Sequence, residues 1–532
     1  MTAQSGPVIQ VRKITHPERL MNTKSNQRRI ILMLLIVSIL LTSCSLSISP
    51  DDPYAKTRFR EPFVPTSTPP SPPYFLPTDC RFPVPPGEVR CGDLHVLEDR
   101  ADPYSREIIL HVAVFPSFSE NPEPDPVIYL MGGGGSDALG VADFYLATAG
   151  TAIRASRDFI LYNQRGVKRN EPTLACPGEA EFQTALTSFV HSKSGEEQPE
   201  YDFMMACREY FLDQGIDLDM YDSLSHAADL ADLLTTLGYE QANIYGTSYG
   251  TRLGLTFIRH YPDRVRSAIL DSILPPQIDF PGDAITSYLE SLENLFDACA
   301  SQEFCSNKYP DLEKEFNQII KDLSANPVPI IVGEDEILLD HILFLDVIFL
   351  LLGEASALPE IPQAIHNASL GEYSWLEQPI LRVQSYSDFV TTGVQYSSLC
   401  RDEVLFHDPE AGQALLEGLK KSWQDYFNLS FYFQTCQDWV TVPADPIENT
   451  PVLSDIPTLV LTGHFDSITA PSWNLDTASY LENSFYFEFP NQSHGVLRSD
   501  SCALSMGLEF LDDPWTEPVA SCMEELELPE FR

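Results

Sequence analysis

The sequence predicts an α/β fold: a mostly parallel sheet covered on both faces, interrupted by an inserted, mostly helical cap. Three observations predict it. Between residues 87 and 274, short runs rich in Ile, Val and Leu alternate with segments of helical spacing. Apolar strands separated by helices imply parallel strands buried on both sides. From Pro275 to about Ile456 helix-like segments dominate, and strand-like runs resume only at Pro457. The simplest organisation is therefore a core in two parts, 87–274 and 457–532, with a helical cap at 275–456.

In chain order, Ile108 to Phe115, Pro126 to Met131 and Asp158 to Asn163 read as strands. Leu224 to Leu237 carries apolar residues at helical spacing (Leu224, Ala227, Ala228, Leu230, Ala231, Leu234) and stops at Gly238. Asn243 to Tyr245 is a short strand, followed by a helix from Tyr249 toward His260 that ends before Pro262. Val265 to Leu274 is the next strand. The insertion predicts helices over Ala284 to Ala300, Leu312 to Leu323, Asp340 to Leu352 and Gln413 to Tyr426. The last strands are Pro457 to Leu461 and Ser484 to Phe489.

The amino end predicts targeting rather than fold. Lys24, Arg28 and Arg29 precede an apolar run, Ile30 to Leu41, of 12 residues. A spanning helix needs about 20 residues, so this length suits a signal segment, here residues 1–44. The run ends in Leu41-Thr42-Ser43-Cys44, which resembles a bacterial lipobox with Cys44 as the point of lipid attachment. Met21 opens a signal of ordinary length. Residues 45–86 are rich in Pro, Ser and Thr, the composition of an extended tether. The expected location is the outer face of a cell membrane.

Composition excludes one large class of partner. The chain carries 77 acidic against 33 basic residues, a formal charge of −44, and nucleic-acid binding needs clustered Lys and Arg. A strongly acidic surface suits solubility, and also attracts cationic substrates such as a free amino terminus. Setting Cys44 aside leaves ten of the 11 cysteines, an even number that reads as disulfides in an exported chain. Ten cysteines allow many connectivities. Joining sequence neighbours gives Cys80–Cys91, Cys176–Cys207, Cys299–Cys305, Cys400–Cys436 and Cys502–Cys522. None has zinc-type spacing, and neither a metal nor a cofactor is expected.

The chemistry gathers around Gly246-Thr247-Ser248-Tyr249-Gly250. A G-x-S-x-G pentapeptide alone is a weak signal, but here a strand precedes it and a helix follows, the setting that a nucleophile elbow requires. The helix amino end favours negative charge, and the Tyr249 N–H can donate to an oxyanion. Downstream, the strand at Thr458 to Leu461 leads to Asp466, and His494 lies 28 residues further on, after the next strand. That order, Ser then acid then His, supplies a base for the Ser248 proton and an acid to fix the imidazole tautomer. His464 is the rival histidine, but it precedes the acid. Met131-Gly132-Gly133-Gly134-Gly135 follows a strand and brings backbone N–H groups toward a developing oxyanion; its register fits no phosphate loop.

These residues resemble the prolyl and tripeptidyl aminopeptidase branch of the α/β-hydrolases, from about residue 80 to 525. The glycine run resembles that family's H-G-G-P-G loop, and Asn163-Gln164-Arg165-Gly166 its D-x-R-G segment. Leu270-Asp271, Cys400-Arg401-Asp402, Cys436-Gln437-Asp438-Trp439, Asp466-Ser467-Ile468-Thr469 and His494-Gly495 also fall in matching order. The resemblance implies an α/β-hydrolase fold and release of amino-terminal residues or short peptides through an acyl-enzyme. It makes Ser248, Asp466 and His494 the triad, with Tyr249 and Gly133 as oxyanion donors. A peptide's free amino terminus needs a cap carboxylate, for which Asp402 and Glu403 are the candidates. The chain departs from the family at Met131, Gly134, Asn163, Lys168 and Asn170, changes expected to ring the pocket and so to bear on substrate choice. The same triad also serves esters, so a lipid-anchored carboxylesterase is the alternative.

Overall fold

The computed structural model describes residues 71–84, 88–179, 199–278, 282–333, 335–385, 389–406, 414, 416–427 and 430–532. The signal segment, Cys44 and the tether up to residue 70 lie outside the described residues. The strands are β1 (Tyr74–Pro77), β2 (Arg90–Leu97), β3 (Glu107–Phe115), β4 (Val127–Leu130), β5 (Phe159–Tyr162), β6 (Ala242–Ser248), β7 (Val265–Ile273), β8 (Val328–Val332), β9 (Asp335–Leu339), β10 (Thr458–Gly463) and β11 (Ser484–Phe489). Nine of them form one sheet in the order β1-β2-β3-β5-β4-β6-β7-β10-β11. The pairs from β1 to β5 are antiparallel, and those from β5 through β4, β6, β7 and β10 to β11 are parallel.

Each face of the sheet is closed by helices whose apolar stripes the sequence supplies. On one face Leu230 and Leu234 of the helix Ser223–Leu237, with Leu253 and Phe257 of the helix Tyr249–His260, pack on Ile244 and Leu270. On the other, Met506 and Phe510 of the helix Ser501–Asp512 pack with Leu459 and Leu461. Burying each such side chain contributes about 1.5–3 kcal/mol. Local signals set the helix ends: Asp222 caps the first, accepting from Ser225 N at 2.8 Å, and Gly238 closes it at φ 81°.

Two departures from the sequence reading concern organisation. Tyr74–Pro77, assigned to the tether, is an edge strand on β2, and Cys80 beyond it is bonded to Cys91. The inserted stretch is not self-contained either. Its helices Ala284–Ser301, Leu312–Ala325 and His341–Leu352 share one core with the unforeseen hairpin β8–β9. The helices Thr392–Asp402 and Ser430–Trp439 instead pack with residues 167–176 and 204–221 of the first part, around Phe211, Tyr221, Val394 and Trp439. Two disulfides, Cys176–Cys207 and Cys400–Cys436, lie in that second cluster. All five neighbour pairs form, including Cys299–Cys305 and Cys502–Cys522. Five disulfides suit an oxidising, extracytoplasmic compartment. No helix among the described residues is long and apolar enough to cross a membrane.

Candidate active site

At the carboxyl end of β6 the chain turns into a helix within one residue. Ser248 ends the strand at φ 58° and ψ −127°, and Tyr249 begins the helix. A side chain held at positive φ costs about 1–3 kcal/mol, and the surroundings over-determine it. The flanking glycines are sterically required. A Cβ on Gly250 would stand 1.9 Å from the Leu130 carbonyl oxygen, and one on Gly246 2.6 Å from the Gly250 oxygen. The Tyr249 N–H, at the first helical position, has no intrahelical acceptor.

Asp466 and His494 stand on the loops after β10 and β11. Gly463 lets these loops touch, since a Cβ there would lie 2.3 Å from the Ser493 carbonyl oxygen. His494 Nδ1 is 3.0 Å from both Asp466 oxygens. Asp466 is fully buried and accepts further bonds from Ile468 N (2.9 Å), Thr469 N (2.9 Å) and Thr469 Oγ1 (2.8 Å). Burial alone would raise its pKa, but His494 and Thr469 outweigh it and hold the carboxyl below its usual value. The rival His464 is engaged elsewhere, with Nδ1 2.7 Å from Glu488 Oε1.

The glycine loop runs over the nucleophile: a Cβ on Gly132 would sit 2.8 Å from Ser248 Cβ. Gly133 takes φ 62°, and its carbonyl accepts from Ser136 N (2.9 Å) and Ser136 Oγ (2.6 Å). The cap holds the loop from outside, through Thr391 N donating to the Gly135 carbonyl at 2.8 Å. Ser248, His494, Gly133 and Tyr249 all line one cavity of about 620 Å³. The cap closes it with Tyr288, Phe349, Tyr396, Tyr426, Phe427 and Tyr432, and with two carboxylates, Asp346 and Glu403.

The two expected amine-binding carboxylates have different surroundings. Glu403 lines the cavity and is ion-paired with Arg252. Asp402 does not line it. It is buried behind Tyr249, and its Oδ2 accepts from Ser223 N (2.9 Å) and Ser223 Oγ (2.6 Å). Ser223 Oγ in turn lies 3.0 Å from the Tyr249 hydroxyl, which is 3.2 Å from His226 Nδ1. Burial pushes Asp402 up from 3.8 to about 7 against the pull of Arg252, with Asp222 adding to the rise. An acid raised this way binds more protons folded than unfolded between pH 4 and 7, so stability falls as pH rises through that window. Asp402→Asn, neutral throughout, is expected to gain in Tm relative to the unsubstituted chain between pH 5 and pH 8. A difference in Tm that stays constant over that range would count against it.

Other residues reach the site without having been assigned a role there from the sequence. Asp271, at the end of β7, accepts from Val496 N (2.8 Å) and Leu497 N (3.0 Å) and so clamps the loop that carries His494. Burial raises it to about 6. Ser272, at φ 63°, accepts from Gly495 N at 2.9 Å. The expected ring of substitutions around the pocket holds only in part. Met131 and Gly134 line the cavity, whereas Asn163, Lys168 and Asn170 do not. Asn163 is buried and donates to Asp137 Oδ1 (2.8 Å) and the Lys168 carbonyl (2.7 Å), while Asn170 donates to the Gln164 carbonyl (2.6 Å). They brace the turn around Arg165, whose guanidinium grips Asp229 with two bonds of 2.8 and 2.7 Å.

Parts of the chain match known families. Residues 125–316 match the family described as alpha/beta hydrolase fold, and residues 422–522 that described as TAP-like protein. A tripeptidyl aminopeptidase of Streptomyces lividans is 30% identical over 203 residues, 36% of this chain and 37% of that protein. The serine protease Hip1 of Mycobacterium tuberculosis is 25% identical over 236 residues, 42% of this chain and 44% of that one. The chain thus spans well under two thirds of the length of the relatives it matches. Among solved structures, a thermophilic esterase from Thermogutta terrifontis is 15% identical, covering 80% of this chain and 99% of that one at a TM-score of 0.36.

Proposed function

We propose that this chain, an α/β-hydrolase with a TAP-like segment near its carboxyl end, is a serine aminopeptidase. It releases amino-terminal residues or short peptides through an acyl-enzyme on Ser248. The observation that carries the reading is the meeting of a serine at positive φ, a His–Asp pair and a glycine loop on one cavity. Ser248 Oγ attacks the scissile carbonyl and gives its proton to His494 Nε2, while Asp466 holds the imidazole by Nδ1. The oxyanion is met by the N–H groups of Tyr249 and Gly133. His494 then protonates the leaving amine, and water, activated by the same histidine, frees the acyl group.

A peptide's ammonium would be met from the cap side. Glu403 is the expected carboxylate that faces the cavity, and Asp346 joins it among Tyr288, Tyr426 and Tyr432. Aromatic faces and carboxylates together favour a cation over a neutral amide. Asp402 serves from behind, through Ser223 and Tyr249. The charge of −44 adds long-range attraction for cationic peptides. In this reading a lipid on Cys44 tethers the enzyme to the outer face of the membrane.

The test compares peptide amides bearing a free amino end with the same amides acetylated. The free forms should be cleaved faster by at least about tenfold in kcat/KM, the worth of a charged hydrogen bond. Equal rates would overturn the aminopeptidase reading. Rapid ester cleavage without amide turnover would replace it with the carboxylesterase.

A further inference from the structure

On the floor of the cavity, beside the nucleophile, lies a cluster that neither the triad nor the oxyanion donors use. Tyr129, Tyr145, Thr247 and Arg498 all line the cavity. The Tyr129 ring, on β4, lies 4.2 Å from that of Tyr145 and 4.8 Å from that of Tyr245, centroid to centroid. The hydroxyls of Tyr129, Tyr245 and Thr247 are buried together, with Thr247 meeting both phenols and Tyr145 meeting Tyr129. Each hydroxyl brings one proton, so a run of four hydroxyls bonded only to one another leaves an O–H that needs a further acceptor.

Arg498 adds a cation. Its Nη2 donates to the His494 carbonyl at 3.0 Å and its Nε to the Gly495 carbonyl at 3.4 Å, which sets the guanidinium against the histidine loop. Asp271, the nearby carboxylate whose field Arg498 feels, has both oxygens engaged by the Val496 and Leu497 N–H groups. The cluster is therefore rich in donors and includes a guanidinium, in a protein whose net charge is strongly negative.

Its position says what it would hold. His494 must hand its proton to the leaving amine, so the leaving group lies on the histidine's side of Ser248. Arg498 stands on the same loop, four residues along. We propose that Arg498, with the hydroxyls of Tyr129, Tyr245 and Thr247 around it, is an anion subsite that takes a carboxylate of the leaving group. The proposal rests on the aminopeptidase reading and narrows it to peptides whose leaving portion is short or acidic. A guanidinium offers parallel N–H donors that match a carboxylate, and the phenols supply further donors.

Three sets of short peptides with free amino ends separate the possible sources of that carboxylate. One set has a free carboxyl end, a second is the same peptides as carboxamides, and a third is carboxamides with Asp or Glu as the first leaving residue. The purified full chain should prefer the first or the third set over neutral carboxamides by about tenfold or more in kcat/KM. The set preferred identifies the carboxylate as main-chain or side-chain. In Arg498→Met the preference should fall toward one, and in Tyr129→Phe it should fall in part, each judged in protein that a fluorophosphonate still labels. If Arg498→Met does not fold, Tyr129→Phe carries the test, since it removes one hydroxyl and no volume of ring. Equal cleavage of all three sets, or a preference that survives the substitutions, would overturn the subsite.

Should no peptide be cleaved, the aminopeptidase reading fails by itself, and ester hydrolysis then reports on the subsite. Competition by succinate in the unsubstituted chain, weakened in Tyr129→Phe, would support it. Absence of competition would sink it.

Discussion

Ser248→Ala is expected to lower kcat/KM by about 10⁵–10⁶-fold and to abolish fluorophosphonate labelling, with Tm nearly unchanged. The separation of activity from stability follows from the elbow. Strain at Ser248 comes from its φ of 58°, which alanine with its own Cβ bears equally. The Cβ that lies against Gly132 also remains. Only Oγ is removed, and with it the atom that attacks. The oxyanion donors and the cavity persist, so a small residual rate over the uncatalysed reaction is expected rather than none. A variant with ordinary activity would mean that the strained serine is not the nucleophile and that the acyl-enzyme reading is wrong.

What the chain reveals before folding depends on whether its signals are local. β11 is legible residue for residue, because Ser484 to Phe489 alternates and is closed by Pro490. The five disulfides are legible because each joins neighbours in the cysteine order. β2 is not, because Asp93 and His95 interrupt its apolar pattern. Both are buried, and Asp93 is held by His111 at 2.8 Å and Arg81 at 2.6 Å, partners the sequence does not announce. β8 was hidden by Pro329 within it, a residue that reads as a strand breaker. Triad order is legible from strand order, since each member follows a strand. The cap side of the cavity is not, because it depends on how the cap folds over the sheet. Asp402 and Glu403 are adjacent in sequence, yet one faces the cavity and the other sits behind Tyr249. Asp346 and Arg498 carry no motif at all, and only tertiary contact brings them to the site.

Asp466→Asn is expected to lower kcat by about 10⁴-fold, with KM and Tm much less affected. Asp466 Oδ1 accepts the Ile468 and Thr469 N–H groups at 2.9 Å, so the asparagine carbonyl can occupy that place and keep the turn. The new amide nitrogen would replace Oδ2, where the Thr469 hydroxyl can rotate to accept instead of donate. His494 then faces an N–H donor across the 3.0 Å contact that now holds a carboxylate. Nδ1 then lies between Oδ1, which still accepts at 3.0 Å, and the new N–H donor, which favours the tautomer with the ring proton on Nε2. Nε2 is the atom that has to receive the Ser248 proton, and in that tautomer it has no lone pair to do so. Asp271 cannot stand in as the acid, because its two oxygens are already held by Val496 and Leu497 N–H at 2.8 and 3.0 Å. Measuring kcat, KM and Tm on the same preparation decides the matter. A loss below tenfold would show that another group orients His494, and a large fall in Tm would show that Asp466 serves the fold more than the reaction.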